Sequence, residues 1–117
     1  MVYVFLADGF EEIEALTPID ILRRAGVSVT SVGVTGKTVT GSHGISVEAD
    51  ITESEAADAL SRADIEAVVL PGGMPGADNL NASSVVEKYI SAAKDCGAFI
   101  AAICAAPYIL GIRGMLS

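Results

Sequence analysis

The groups in this chain best suited to chemistry are two cysteines, one histidine and a set of carboxylates near the N-terminus. Cys104 has the most informative neighbours. It directly follows the apolar run 98–103 and precedes a helix-like segment, with Ala102 and Ala106 two residues away on either side. That is the pattern of a nucleophile elbow, a strand-to-helix turn so tight that only small side chains fit at its flanks. Pro107 stands where a first helical turn accepts proline. A thiol there would face free N–H groups and the positive end of a helix dipole, which lower a thiol pKa from about 8.5 to roughly 3.5–7.5. The competing reading is a buried structural cysteine, since cysteine is among the most buried residue types. The elbow context favours the reactive one.

Glu14 stands out through helical phase. Counting about 100° per residue from Phe10 puts Phe10, Ala15, Pro18, Ile21, Leu22 and Ala25 on one arc. Glu14 falls inside it, between Ile21 and Ala25, while Glu12, Asp20, Arg23 and Arg24 take the opposite side. Glu11 also lies in the arc, but at the helix end, where water and the dipole satisfy it. An inward carboxylate is costly unless paired or protonated, so Glu14 reads as a functional acid. A solvated side chain on a helix kinked by Pro18 is the plainer alternative.

Gly72-Gly73 would let the backbone approach a ligand and aim N–H groups at it, although an ordinary tight turn uses the same residues. Cys96 precedes the strand that Cys104 follows, too far for a disulfide, and reads as structural. His43 sits between two strand-like segments and reads as an exposed loop histidine without a role. Two cysteines and one scattered histidine give no metal-ligand spacing, and no metal or other cofactor is expected.

The elements that must position these groups follow from hydrophobic patterning. Solid apolar runs at 2–7, 66–70 and 98–103, with a β-branched run at 27–33, read as buried strands. Helical spacing covers 11–25, closed by Gly26, and 83–95, closed by Gly97; a further helix begins at 105. Residues 37–40 and 45–48 flank Gly41-Ser42-His43-Gly44 as a hairpin, and Thr52-Glu53-Ser54-Glu55 has capping-box spacing ahead of a helix to about residue 62. Strands without polar alternation, separated by helices, indicate a three-layer, doubly wound, mostly parallel α/β domain of flavodoxin type spanning residues 1–117. The segment 8–14, Gly72-Gly73 and Cys104 then all lie at the carboxyl edge of the sheet, where such folds place their sites.

Composition narrows the function classes. The chain carries 7 Lys+Arg against 15 Asp+Glu, a net charge of −8, and is 51% hydrophobic. That fits one folded domain and argues against a nucleic-acid backbone or an anionic membrane as partner. No apolar run approaches the ~20 residues of a membrane span, no signal peptide is visible, and the cysteine usage suits a reducing cytoplasm.

Three ordered motifs resemble the ThiJ/PfpI superfamily, in the branch that includes the protein deglycases. They are Asp8-Gly9-Phe10-Glu11-Glu12-Ile13-Glu14 with Pro18-Ile19-Asp20 and Arg23-Arg24-Ala25-Gly26, then Val69-Leu70-Pro71-Gly72-Gly73 with Gly76-Ala77-Asp78-Asn79-Leu80, and finally Ala101-Ala102-Ile103-Cys104-Ala105-Ala106-Pro107. The resemblance implies that Cys104 is the elbow nucleophile, prone to oxidation to sulfinate, and Glu14 a protonated acid bonded to its sulfur. It implies that Gly73 and Ala105 supply oxyanion N–H groups, with Gly72 as a further pocket residue. It also implies a homodimer built on the first helix and the hairpin, which would bring His43 toward a neighbouring site. Domains of this family continue well beyond residue 117 and place a histidine near the nucleophile. The chain is therefore expected to be a C-terminally truncated piece, with an uncovered sheet side, that needs a C-terminal complementing segment.

The expected function is a cysteine-dependent enzyme acting on small dicarbonyls or their protein or nucleotide adducts, of glyoxalase or deglycase type. A sensor of oxidative stress or a chaperone with an oxidisable cysteine is the alternative, and a peptidase a further one whose histidine this chain does not supply. A phospho-acceptor receiver would need an aspartate where Pro71-Gly72-Gly73 stands. A flavin carrier would need a hydroxyl-rich loop in place of Gly9-Phe10-Glu11-Glu12.

Overall fold

Strand β1 (Val2–Leu6) is buried along its whole length, as an apolar run without polar alternation requires when both sheet faces are covered. In the computed structural model, which describes residues 1–104, 106–112 and 114, the chain continues through α1 (Glu12–Arg24), β2 (Val29–Gly33), the hairpin β3 (Thr38–Thr40) and β4 (Ser46–Glu48), and β5 (Ile51–Thr52). There follow α2 (Glu53–Ala59) with a 3₁₀ turn at Leu60–Arg62, β6 (Ala67–Leu70), α3 (Gly76–Asn81), α4 (Ser84–Cys96), β7 (Phe99–Ala102) and α5 (Pro107–Ile112). Five strands pair in parallel in the order β5-β2-β1-β6-β7. The chain winds outward from β1 through β2 to β5, then crosses back to β6, so the order reverses between β1 and β6. This is the doubly wound α/β architecture, with its crevice at the carboxyl ends of those two strands.

The pleat of β1 divides the core. Tyr3 and Phe5 face one layer with Val86, Tyr89 and Ile90 of α4 and Ile109 of α5, while Val2, Val4 and Leu6 face Ala15 and Ile19 of α1 and Val39 of the hairpin. Tyr89 anchors the first layer. Its ring lies 4.9 Å from Tyr3 and 5.3 Å from Phe5, and its buried hydroxyl donates to the Ala56 carbonyl at 2.7 Å, so that burial carries no unpaired donor. Burying Phe5 completely contributes about 1.5–3 kcal/mol of hydrophobic stabilisation. Capping follows the sequence at Thr52 and Glu55, which form the reciprocal capping box of α2, and at Gly97, which ends α4 in the left-handed conformation.

Two elements escape pattern reading. The strand β5 has two residues, too few for any periodicity. The helix α3 begins at Pro75-Gly76 and contains Asp78 and two asparagines, poor helix formers. It is held instead by Ala77 N–H on the Gly73 carbonyl at 2.9 Å and by the Asn79 amide on the Asp8 carbonyl at 2.8 Å. On β7, Ile100 and Ala102 pack on the Tyr89 layer, whereas Phe99, 82% exposed, and Ala101 lie on an open face. Among the described residues no helix is long and apolar enough to cross a membrane.

Candidate active site

Glu14 sits in the first turn of α1, and the cap of that helix fixes its direction. Glu11 is the N-cap, and its carboxylate accepts the N–H groups of Ile13 at 3.3 Å and Glu14 at 3.2 Å. The Glu11 N–H donates to the Gly72 carbonyl at 2.9 Å, and the Gly72 N–H donates to Glu14 Oε1 at 3.1 Å. The loop after β6 is thus clamped to the start of α1 through both backbone groups of one residue. The other carboxylate oxygen, Oε2, accepts from Cys104 Sγ at 2.6 Å. One side chain therefore joins the loops after β1, β6 and β7.

The backbone at Cys104 has φ +52°, and it is the one non-glycine with positive φ among the described residues. A conformation that L-residues rarely adopt costs on the order of 1–3 kcal/mol, and such strain clusters at functional sites. Ile103 N–H still bonds the Leu70 carbonyl at 3.1 Å as β7 ends, and Ala106 N–H returns to the Ile103 carbonyl at 3.0 Å, closing the turn around Cys104. Gly72 is required by space. A Cβ there would come within 2.5 Å of Glu14 Oε1, 2.7 Å of the Ile103 carbonyl and 2.9 Å of Cys104 Cβ. Gly73 has φ +94°, and a Cβ on it would meet the Gly9 carbonyl at 2.7 Å. Ala105 lies outside the described residues.

Two expectations need correction. The helix dipole was to lower the pKa of the Cys104 thiol; instead it is raised. The hydrogen bond to Glu14 is the largest cause, followed by lost hydration and the negative charges of Glu14 and Glu11. The inward face of α1 is also different. Its buried residues are Glu12, Ala15 and Ile19, whereas Ile21 is 57% exposed and Glu14 is half-buried at the helix edge. Counting from Phe10 misplaces the arc because α1 begins only at Glu12; Phe10 is buried, but from the turn before the helix. Cys96 lies exposed at the end of α4, its thiol near the carbonyls of Ala93 and Ile65.

Glu12, read from sequence as outward, is the buried carboxylate. It accepts the His43 N–H at 2.9 Å, the Ile45 N–H at 3.2 Å and the His43 ring Nδ1 at 3.0 Å. Burial alone would raise its pKa, but these bonds, the Ile45 amide foremost, bring it down to about 2. His43 is thus tied to α1 through Glu12, with Glu11 Oε1 at 3.7 Å. Glu11, Glu12 and His43 bring ligand-type atoms within 4.8 Å of one another, a juxtaposition that sequence spacing did not reveal. The available signal was Gly41, where any side chain would collide with the Glu12 carboxylate.

A model described as the DJ-1/PfpI family matches residues 1–117. The chain is 39% identical over 113 residues to a Parkinson disease protein 7 homolog of Danio rerio, covering 96% of this chain and 58% of that protein. It is 36% identical over 113 residues to a deglycase of Pyrococcus horikoshii, covering 94% of this chain and 63% of that one. Among solved structures, an oxidized DJ-1 of Toxoplasma gondii superposes with a TM-score of 0.90 at 38% identity, covering 98% of this chain and 61% of the other. The chain spans about three fifths of the length of these relatives.

Proposed function

Because the chain belongs to the DJ-1/PfpI family, we propose that its Cys104–Glu14 pair performs a DJ-1-type addition to small dicarbonyls or to the adducts they form with proteins or nucleotides. The observation that carries this reading is the 2.6 Å contact between Sγ and Oε2 at a turn with φ +52°. One proton lies between the two atoms. With it on sulfur the thiol is quiet, which is the sense of its raised pKa. When an electrophilic carbonyl arrives, Glu14 Oε2 takes the proton as Sγ attacks, leaving the protonated Glu14 that the family resemblance implies.

For methylglyoxal the steps balance as follows. The sulfur lone pair forms the C–S bond at the aldehyde carbon, the C=O π pair moves to oxygen, and Glu14 returns the proton there, giving a hemithioacetal. Glu14 then removes the proton on that carbon and delivers it to the adjacent one, while the hydroxyl proton of the hemithioacetal passes to the ketone oxygen through the enediol, so that hemithioacetal and ketone become a lactoyl thioester. Water hydrolyses the thioester, releasing lactate and the free thiol. The N–H groups of Gly73 and Ala105 would hold the developing oxyanion, with Gly72 acting on Glu14 through its N–H. Neither a metal nor another cofactor enters these steps. We place the activity in a reducing cytoplasm, in a homodimer for which the exposed Ile13, Ile21 and Ile45 of α1 and the hairpin supply an apolar surface. The open face of β7 fits a site completed by further polypeptide.

Cys104→Ser removes lactate formation from methylglyoxal if this reading holds; turnover at the wild-type rate refutes it. A second reading is favoured by the oxidized state of the Toxoplasma relative, in which Cys104 is a redox sensor without turnover. Selective peroxide oxidation of Cys104 over Cys96, by mass spectrometry, together with no lactate, selects it.

A further inference from the structure

A residue held at φ +52°, as Cys104 is, keeps that conformation because its surroundings over-determine it. On one side of the turn Glu14 Oε2 holds the thiol at 2.6 Å. On the other side stands a contact to which the proposed reaction gives no task. The Tyr108 hydroxyl, in the first turn of α5, donates to Asp78 Oδ1 of α3 at 2.5 Å. We propose that Tyr108 and Asp78 are positioning residues for Cys104, a latch between α5 and α3 that holds the elbow with its sulfur against Glu14. Their role rests on the reading of Cys104 and Glu14 as a working pair.

The anchorage of Asp78 is what makes the latch effective. α3 is tied to the loop after β6 by the Ala77 N–H on the Gly73 carbonyl at 2.9 Å, and to the loop after β1 by the Asn79 amide on the Asp8 carbonyl at 2.8 Å. Its first residue, Gly76, packs so closely on the second of these loops that a Cβ would come within 2.7 Å of the Phe10 nitrogen. Asp78 therefore rides on a short helix fixed to the loops that lead to Glu14 and carry Gly72-Gly73. Ala77 and Leu80 of α3 share a core with Ala106, Ile109 and Leu110, but apolar contacts are non-directional, whereas a hydroxyl-to-carboxylate bond sets an orientation. Tyr108 lies four residues after Cys104, and the Ala106 N–H on the Ile103 carbonyl at 3.0 Å carries any shift of α5 into the turn. The charges that oppose ionisation of the thiol are those of Glu14 and Glu11, so Asp78 contributes an acceptor for Tyr108 rather than a field at the sulfur. α3 and α5 belong to the layer opposite α1 and the hairpin, away from the surface proposed for the homodimer.

The test is the rate of Cys104 alkylation by iodoacetamide at pH 7, followed by peptide mass spectrometry with Cys96 as internal reference. Loosening the latch frees the thiol from the bond that keeps it protonated. Tyr108→Phe should therefore alkylate about two- to fivefold faster, the weight of one partly hydrated hydrogen bond. Asp78→Ala should match it, while Asp78→Asn, which keeps an acceptor oxygen but no charge, should stay near wild type; these two suffice should Tyr108→Phe not fold. In a Glu14→Gln background Tyr108→Phe should add nothing, because the contact that the latch preserves is already gone, and a merely structural role would not produce that result. Equal acceleration in Asp78→Asn and Asp78→Ala, a gain that persists in full without Glu14, or a parallel change at Cys96 overturns the latch. A Cys104 rate that responds to Glu14→Gln but not to Tyr108→Phe removes only the latch. A rate indifferent to Glu14→Gln removes the underlying pair, and the latch with it.

Discussion

Replacing Glu14 by glutamine should move two properties of Cys104 in opposite directions. The amide oxygen can still accept the Gly72 N–H that Oε1 takes at 3.1 Å, so the clamp between α1 and the β6 loop survives. What disappears is a negative charge 2.6 Å from the sulfur, together with the acceptor that is the largest cause of the raised thiol pKa. Because Cys104 is exposed, a water-like dielectric applies. At that separation and dielectric, loss of one charge shifts an ionisation equilibrium about tenfold, and the remaining charge of Glu11 and salt screening reduce this. Iodoacetamide alkylation of Cys104 at pH 7 should therefore become about three- to tenfold faster. Lactate formation from methylglyoxal should fall by about 10²-fold or more, because the group that relays the proton is gone. Circular dichroism and an unchanged Cys96 rate would establish that the fold is intact. Slower or unchanged alkylation would refute the account of the thiol, and undiminished turnover would refute the proton relay.

Glu12 should govern acid stability. Its pKa is brought down to about 2 in the folded protein, from an ordinary value of 4.5, so its stabilising contribution is present above about pH 4.5 and lost as pH falls toward 2. Thermal melting from pH 7 to 2 should show that decline in wild type, and Glu12→Gln should melt lower at pH 7 with a shallower decline; matching profiles would show that the buried bonds to the hairpin carry little weight. Gly72→Ala should lower stability by about 1–3 kcal/mol as an overpacking change, because its Cβ meets the Ile103 carbonyl at 2.7 Å and Cys104 Cβ at 2.9 Å. The same variant should depress Cys104-dependent turnover, and a denaturant midpoint equal to wild type would mean that the three loops are less tightly joined than their distances imply.

The fold was legible in the sequence because its strands are buried on both faces and its helices carry caps. β1, β6 and β7 are short apolar runs that end at turn residues, and α2 and α4 are bounded by the Thr52 capping box and by Gly97. The elbow was legible too, since Ala102, Ala106 and Pro107 around Cys104 are a local signature, and the backbone at Cys104 does take φ +52°. Elements without local signal were not: β5 is too short, and α3 is held by contacts to Gly73 and Asp8 that its own composition does not announce.

What the sequence alone determined is a doubly wound α/β chain with a cysteine at a strand-to-helix turn and carboxylates at the start of its first helix. Tertiary structure decided which carboxylate does what. Glu11, Glu12 and Glu14 differ little as residues, but α1 starts at Glu12 and so points them three ways: Glu11 caps the helix, Glu12 is buried under the hairpin against His43, and Glu14 reaches Cys104. The electrostatics followed the same rule. A helix start read along the chain suggests a lowered thiol pKa, yet a carboxylate brought from ninety residues away, 2.6 Å from the sulfur, outweighs it. Charge at contact distance dominates a dipole end, and contact distance is a property of the folded chain.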